Sequence, residues 1–279
     1  MKKLLALVLS LVMVCGVFTA CGSKDSEEAT TAKKEEVATV DTTGVKTVED
    51  GKLSIGVEIG YPPFEMFAED GKTEEGFDID IITGVAKRLG LEVNFVNTAF
   101  DGIFKGIDKN YDVVCSAITI TKERKKTMLF SDPYIDNYQA VVVKKDSKLD
   151  IKSFNDLEGL QIALQEGTTS LEIMKDLIGT KTLKKAKYIQ SEKVTGCFTQ
   201  LKNGEVDAVL VDSTVADGQV AKDKNFKIAW KDDKEPEQFG IAMGKKNVAL
   251  QKAINAALKD MNDKGEIDDA YDYWFVQGN

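Results

Sequence analysis

Apolar positions along the chain alternate between two periods. Residues 53–57 form a short β-rich run, and Phe77, Ile81, Val85 and Leu89 then recur every fourth residue and stop at Gly90. The first run predicts a strand, the second a helix with a glycine end signal. The same reading places strands at 91–96, 113–116 and 139–143, a short helix around Ile103, Phe104 and Ile107, and a helix at 121–128. A second series begins at Gln161, with strands at 162–164, 187–189, 208–211 and 227–230. Between them lie helices at 171–177, 194–202 (closed by Asn203-Gly204) and 214–221. A last strand at 239–243 precedes a helix striped by Leu250, Ile254, Leu258 and Met261 and ended by Gly265.

Strands alternating with helices imply an α/β fold with mainly parallel sheets covered on both faces. A weak internal echo divides the series in two. Gly102-Ile103-Phe104 runs to Asp112-Val113-Val114 much as Gly196-Cys197-Phe198 runs to Asp207-Ala208-Val209. Two similar lobes follow, and open α/β sheets bind ligands beyond the carboxyl ends of their strands. The strand ends at Ser116, Leu164 and Val211 therefore mark a cleft.

The N-terminus changes the setting. Lys2 and Lys3 precede an apolar run over 4–14, and small residues lead to Thr19-Ala20-Cys21. This is the form of a secretory signal, too short to span a membrane stably. Phe18-Thr19-Ala20-Cys21 looks like a bacterial lipobox, with Phe18 where such signals usually have Leu; the cysteine would be lipidated and become the mature N-terminus. Residues 21–47 are rich in Ser, Thr, Ala, Lys and Glu and read as a tether unable to bury enough apolar surface to order itself. About 230 residues remain, enough for two lobes of roughly 100 to 130 each.

Losing residues 1–20, with their two lysines, deepens the formal charge from −9 to −11. Such an acidic chain without a concentrated basic face is a poor partner for nucleic acid. The absence of histidine excludes a His-based triad and a histidine metal site. Cys115 and Cys197 have no metal-like neighbours at ligand spacing, and read as small buried apolar residues rather than a disulfide. No cofactor or metal is expected.

Three strand ends carry polar chemistry. After Ser116 the chain runs through Ala117-Ile118-Thr119-Ile120-Thr121 towards Arg124. Free N–H groups at a helix entry attract an anion, and a planar guanidinium can grip a carboxylate with two hydrogen bonds. Thr121 as a helix cap beneath a solvated basic face explains the same spacing. Gln165-Glu166-Gly167-Thr168-Thr169-Ser170 is either a second anion site or a simple capped turn. Asp212 could bind an ammonium group or cap the following helix. A carboxylate site and an ammonium site on opposite lobes would together clamp the zwitterion common to α-amino acids.

These segments, in this order, resemble the bacterial extracellular solute-binding proteins, family 3, that deliver amino acids to ABC importers. The resemblance is carried by Tyr61-Pro62-Pro63-Phe64-Glu65, Gly76-Phe77-Asp78-Ile79-Asp80, 116–124, Phe130-Ser131-Asp132-Pro133-Tyr134, Gly167-Thr168-Thr169-Ser170 and 207–212, and spans nearly the whole chain after the tether. It implies a two-lobed periplasmic-binding-protein-like fold of type II, with a hinge and central cleft. Lobe 1 would comprise 48–138 and 239–279, lobe 2 residues 139–238, with hinge connections near 139–143 and 238–241. By this resemblance Arg124 and Thr119, with Thr168 and Thr169, bind the ligand α-carboxylate. Asp212, Ser116 and the Ala117 backbone bind the α-ammonium, and Tyr61 and Phe100 flank the ligand side chain. Asp78 and Asp80 are read as helix and fold residues.

The resemblance further implies a monomeric lipoprotein, outside the cytoplasm, that closes on its ligand and meets a membrane permease. Glu58 would face the ligand's distal end. A carboxylate in an aromatic pocket is costly without a positive charge, so arginine or lysine is favoured. In the alternative, Glu58 stays hydrated and glutamine or cystine binds through Gln165 and water. A dehydratase on the same fold is the reading from another class, with Glu58, Glu166 and Asp212 as the available acids and bases.

Overall fold

The computed structural model describes residues 39–234 and 236–277. The expected signal sequence and the expected lipidation site, Cys21, lie outside the described residues. The chain opens with β1 (Lys52–Val57), a small ribbon of β2 (Met66–Phe67) and β3 (Glu74–Glu75), and α1 (Phe77–Leu89). Next come β4 (Glu92–Asn97), β5 (Val113–Val114), α2 (Arg124–Thr127), β6 (Met128–Phe130), β7 (Ile135–Asn137) and β8 (Gln139–Lys144). The second series comprises β9 (Gln161–Gln165), α3 (Thr169–Gly179), β10 (Lys187–Ser191), α4 (Val194–Asn203), β11 (Ala208–Asp212), α5 (Ser213–Lys222) and β12 (Phe226–Lys231). The chain then forms β13 (Glu237–Phe239), β14 (Ala242–Gly244), α6 (Val248–Asp263) and α7 (Glu266–Tyr271).

Two five-stranded sheets result, ordered β4-β1-β5-β14-β6 and β10-β9-β11-β8-β12. In each, four strands run one way and a single strand is reversed, β14 in the first and β8 in the second. This is the two-sheet, mainly parallel α/β fold implied by the alternation of elements. The reversed strands are the ones reached through a two-stranded antiparallel ribbon, β7–β13, that lies outside both sheets.

The second sheet shows why its strands read as continuous apolar runs. Val141 and Val143 of β8, and Ala208 and Leu210 of β11, belong to one core cluster with Ile162, Leu164, Leu171 and Met174. Their neighbours Ala140, Val142, Val209 and Val211 face the other side and pack with Val194, Cys197 and Phe198. A strand covered on both faces has no polar positions to alternate with, and each buried Val or Leu contributes about 1.5–3 kcal/mol. In the first sheet α1 packs on α6 and ends at Gly90, whose left-handed backbone (φ 71°) returns its N–H to Ala86 and Lys87. Gly76 starts that helix at φ 135°, where a Cβ would stand 2.2 Å from the Phe64 carbonyl oxygen. Cys115 and Cys197 are buried free thiols.

Several expectations change. The helix expected at 121–128 shrinks to α2, and Met128 already begins a strand. The preceding residues instead pair with the returning chain: Ile120 N–H donates to Gln238 O at 2.8 Å and Gly240 N–H to Ile118 O at 3.0 Å. The expected strand at 239–243 is split into β13 and β14 because its two halves join different sheets. The crossing ribbon consists of Ile135–Asn137 and Glu237–Phe239, whereas 139–143 is a full member of the second sheet. The folded body also begins before residue 48: Val40 and Val45 pack on the first core, and Val40 N–H donates to Arg88 O. The helix striped by Leu250 to Met261 ends just before Gly265 as expected, but a further short helix, α7, follows it.

Candidate functional site

Ten of the eleven ligand-binding candidates line one cavity where the carboxyl ends of both sheets meet: Tyr61, Phe100, Ser116, Ala117, Thr119, Arg124, Gln165, Thr168, Thr169 and Asp212. The eleventh, Glu58, lies one layer behind. Most are placed by a strand end or the turn that follows it, and Arg124 and Thr169 open the next helices, in the region where a parallel sheet leaves room for a ligand.

From the first sheet, β5 delivers Ser116 and Ala117. The Ser116 hydroxyl donates to Glu65 Oε1 at 2.7 Å and accepts the Glu58 N–H at 3.1 Å. Ala117 holds a left-handed backbone (φ 50°), unusual for a residue with a Cβ, and its N–H donates to Asp78 Oδ2 at 2.6 Å. Arg124 is only 8% exposed although it carries a guanidinium. Its Nη1 donates to Thr119 O at 2.9 Å, its Nη2 to Gly167 O at 3.2 Å, and its Cζ lies 5.2 Å from the centre of the Phe104 ring. Burial pulls its pKa down against the fields of Glu172, Glu237 and Asp212. It forms no ion pair among the described residues.

From the second sheet, β9 ends in Gln165, whose amide donates to Glu58 Oε2 at 2.7 Å and to Glu192 O at 3.0 Å. Thr168 caps α3, accepting the Leu171 N–H and donating to Gln165 O. β11 ends in Asp212, which accepts from Asn137 at 2.7 Å, from Gln139 at 3.1 Å and from the Tyr61 hydroxyl. Tyr61 follows β1, so that last bond joins the two halves of the molecule directly.

Burial dominates the electrostatics. It raises the carboxyls of Glu58, Asp78 and Asp212 to about 7, well above the ordinary range. Glu237 is raised for the same reason, and burial followed by the Asp78 charge raises Glu65 well above the ordinary carboxyl range. Against these five carboxyl groups, Arg124 is the cation lining the cavity.

The sequence reading missed three contributors. Glu237 accepts from Thr119 at 2.9 Å, from Thr169 at 3.0 Å and from Gln139 at 3.2 Å. Gln139 and Asn137 both hold Asp212. None of the three belongs to a segment with a recognisable motif, and their partners are remote in sequence. Glu65 and Asp78 lie inside quoted motifs, and their bonds to Ser116 and Ala117 place them directly beneath the cavity. Glu58 is 1% exposed, so Gln165 stands between it and the cavity.

The chain has similar relatives. It is 32% identical over 231 residues to the "ABC transporter arginine-binding protein 1" of Escherichia coli (strain K12), an alignment covering 81% of this chain and 91% of that protein. It is 33% identical over 284 residues to the "ABC transporter glutamine-binding protein GlnH" of Bacillus subtilis (strain 168), covering 99% and 98%. Its fold superposes on "an ancestral arginine-binding protein bound to arginine" with a TM-score of 0.75 and 38% identity, covering 81% of this chain and 98% of that one. The profile of the bacterial extracellular solute-binding proteins, family 3, matches residues 53–277, and with two five-stranded sheets meeting at one cavity, the chain belongs to that family.

Proposed function

We propose that this protein captures a free α-amino acid for an ABC importer, closing its two sheets around the ligand. One observation carries the reading. Arg124 and Asp212, buried groups of opposite charge, line the same cavity yet form no ion pair with each other. Two such charges are costly to bury apart, and the zwitterion of an amino acid would answer both. Arg124 and Thr119, with Thr168 and Thr169, would hold the α-carboxylate; Asp212, Ser116 and Ala117 would hold the α-ammonium; Tyr61 and Phe100 would flank the side chain.

The ligand we favour is arginine or lysine. Asp212 lines the cavity and Glu237 and Glu58 bond to its lining residues, and a cationic side chain reaching towards Glu58 would relieve its burial. Glutamine or cystine is the second reading, since Gln165 presents an amide to the cavity in front of Glu58. The relatives named above include proteins described as binding arginine and glutamine. Calorimetric titration with the common amino acids tests both levels. We expect arginine or lysine to bind tightest; a preference for glutamine or cystine overturns the side-chain assignment, and no amino-acid binding at all overturns the function. Incubation with arogenate or prephenate should yield no aromatic product, as expected of a receptor rather than a dehydratase.

The receptor acts outside the cytoplasm as a monomer, held to the membrane through lipid on Cys21 and presenting its closed form to the permease. Replacing Cys21 with alanine should release it into the soluble fraction with unchanged ligand affinity. Retention of that variant on membranes after signal cleavage would refute the anchor.

A further inference from the structure

Beneath the ledge formed by Ser116 and Ala117 lie two carboxyl groups that do not line the cavity. Asp78 and Glu65 are both fully buried. A buried carboxylate is expensive, so its position calls for a reason beyond starting a helix.

The hydrogen bonds supply one. Asp78 Oδ2 accepts the Ala117 N–H at 2.6 Å, and its Oδ1 accepts the Tyr134 hydroxyl at 2.9 Å. Ala117 sits at φ 50°, a left-handed conformation strained for a residue with a Cβ. The bond to Asp78 is short and sequestered from water, where a hydrogen bond is strengthened, and is able to hold such a backbone in place. Ser116 is tied down in the same direction, through its hydroxyl donation to Glu65. A hydroxyl has one proton and two lone pairs. With the proton directed to Glu65 and one lone pair facing the Glu58 N–H, the remaining lone pair is what Ser116 can offer a ligand. The Ala117 N–H, turned down to Asp78, is likewise withheld from the cavity.

We propose that Asp78, supported by Glu65, is a positioning residue that makes the Ser116–Ala117 step a ledge of hydrogen-bond acceptors, so that the cleft selects the charged α-ammonium group of its ligand. This rests on the amino-acid reading above and adds a specificity determinant to it. Without Asp78, the freed Ala117 N–H would return to the ledge as a donor and meet an ammonium unfavourably, while a ligand lacking the amino group would lose nothing.

The experiment compares the affinity of wild type for L-arginine with its affinity for 5-guanidinopentanoic acid, the same molecule without the α-amino group. Should arginine not bind, the two ligands are the best-bound amino acid and its desamino counterpart. Wild type should prefer the amino acid. Asp78→Ala should reduce that preference about tenfold or more, the effect of losing one hydrogen bond to a charged group. Asp78→Asn, whose amide oxygen can still accept the Ala117 N–H, should retain most of it. A folded Asp78→Ala that keeps the full preference, or that weakens both ligands equally, overturns the role of Asp78 alone. A wild type that binds neither ligand overturns the amino-acid reading itself. Amide exchange in wild type decides the matter if Asp78→Ala does not fold. The Ala117 N–H should be protected with and without ligand, and rapid exchange in either state contradicts the proposal.

Discussion

Arg124 shows how a single side chain can define a site through what it lacks. Two of its five N–H groups are spent on the carbonyls of Thr119 and Gly167. The rest of the fork remains for a planar anion, in a setting where burial magnifies each bond. Asp212 is the complement, held by Tyr61, Asn137 and Gln139, and kept by burial at a pKa of about 7. Arg124→Ala and Asp212→Ala should each lower ligand affinity by about 2–5 kcal/mol, because each leaves the opposite charge of the ligand buried and unanswered. Arg124→Lys should recover part of the loss, since an ammonium keeps the charge but cannot make the two parallel bonds of a guanidinium. Calorimetry reads all three, and near-native binding by either alanine variant contradicts the clamp.

Among the elements, the β7–β13 ribbon leads into both sheets, through β8 and β14. It is short and carries Glu237, whose carboxylate accepts hydroxyls from Thr119 beside the first sheet and Thr169 at the start of α3 over the second. The same two hydroxyls belong to the proposed ligand contacts. Glu237 therefore occupies part of the bonding capacity that an incoming carboxylate would use, and latches the two halves while doing so. Glu237→Ala should shift the ligand-free protein towards more open conformations, raising its radius of gyration in X-ray scattering, and the liganded protein should remain compact. An unchanged radius without ligand argues against the latch. The same element fixes the approach to α2: residues 118–120 pair with 238–240 in an extended conformation immediately before it.

The whole molecule should respond to pH through its buried acids. Glu58, Asp78 and Asp212 have folded-state values of about 7, against roughly 4 in an unfolded chain. Between those values the folded state binds more protons than the unfolded one, so stability falls as pH rises through the window. The acids that are lowered by surface hydrogen bonds, such as Asp156 and Asp223, act only below about pH 4. Ligand-free protein should thus melt at a lower temperature at pH 8 than at pH 5. A cationic ligand should reverse part of this, because its ammonium favours the ionised form of Asp212, and its affinity should rise with pH through 7. Thermal melts at the two pH values check the first statement, and a melting temperature higher at pH 8 contradicts it. Titrations across the same range check the second.

Much of this was legible in the chain before any coordinates. The four-residue spacing from Phe77 to Leu89 predicted α1 to its last residue, and the strand ends at Ser116, Leu164 and Val211 predicted where the cavity would open, while the family resemblance supplied residues such as Tyr61 and Phe100. Both are local signals: periodicity records which face of an element is buried, and a strand's end records where its backbone leaves the sheet. Only the tertiary structure decided which strands would be reversed, that 121–128 would keep only half of its helix, and that Glu237, Gln139 and Asn137 would join the site. It also moved Glu58 behind Gln165 and gave Asp78 a partner 39 residues away at Ala117. Those outcomes depend on contacts such as Tyr61 with Asp212, 151 residues apart. No local pattern encodes such pairs, because the free energy that selects them exists only once distant strands have packed and water has been excluded between them.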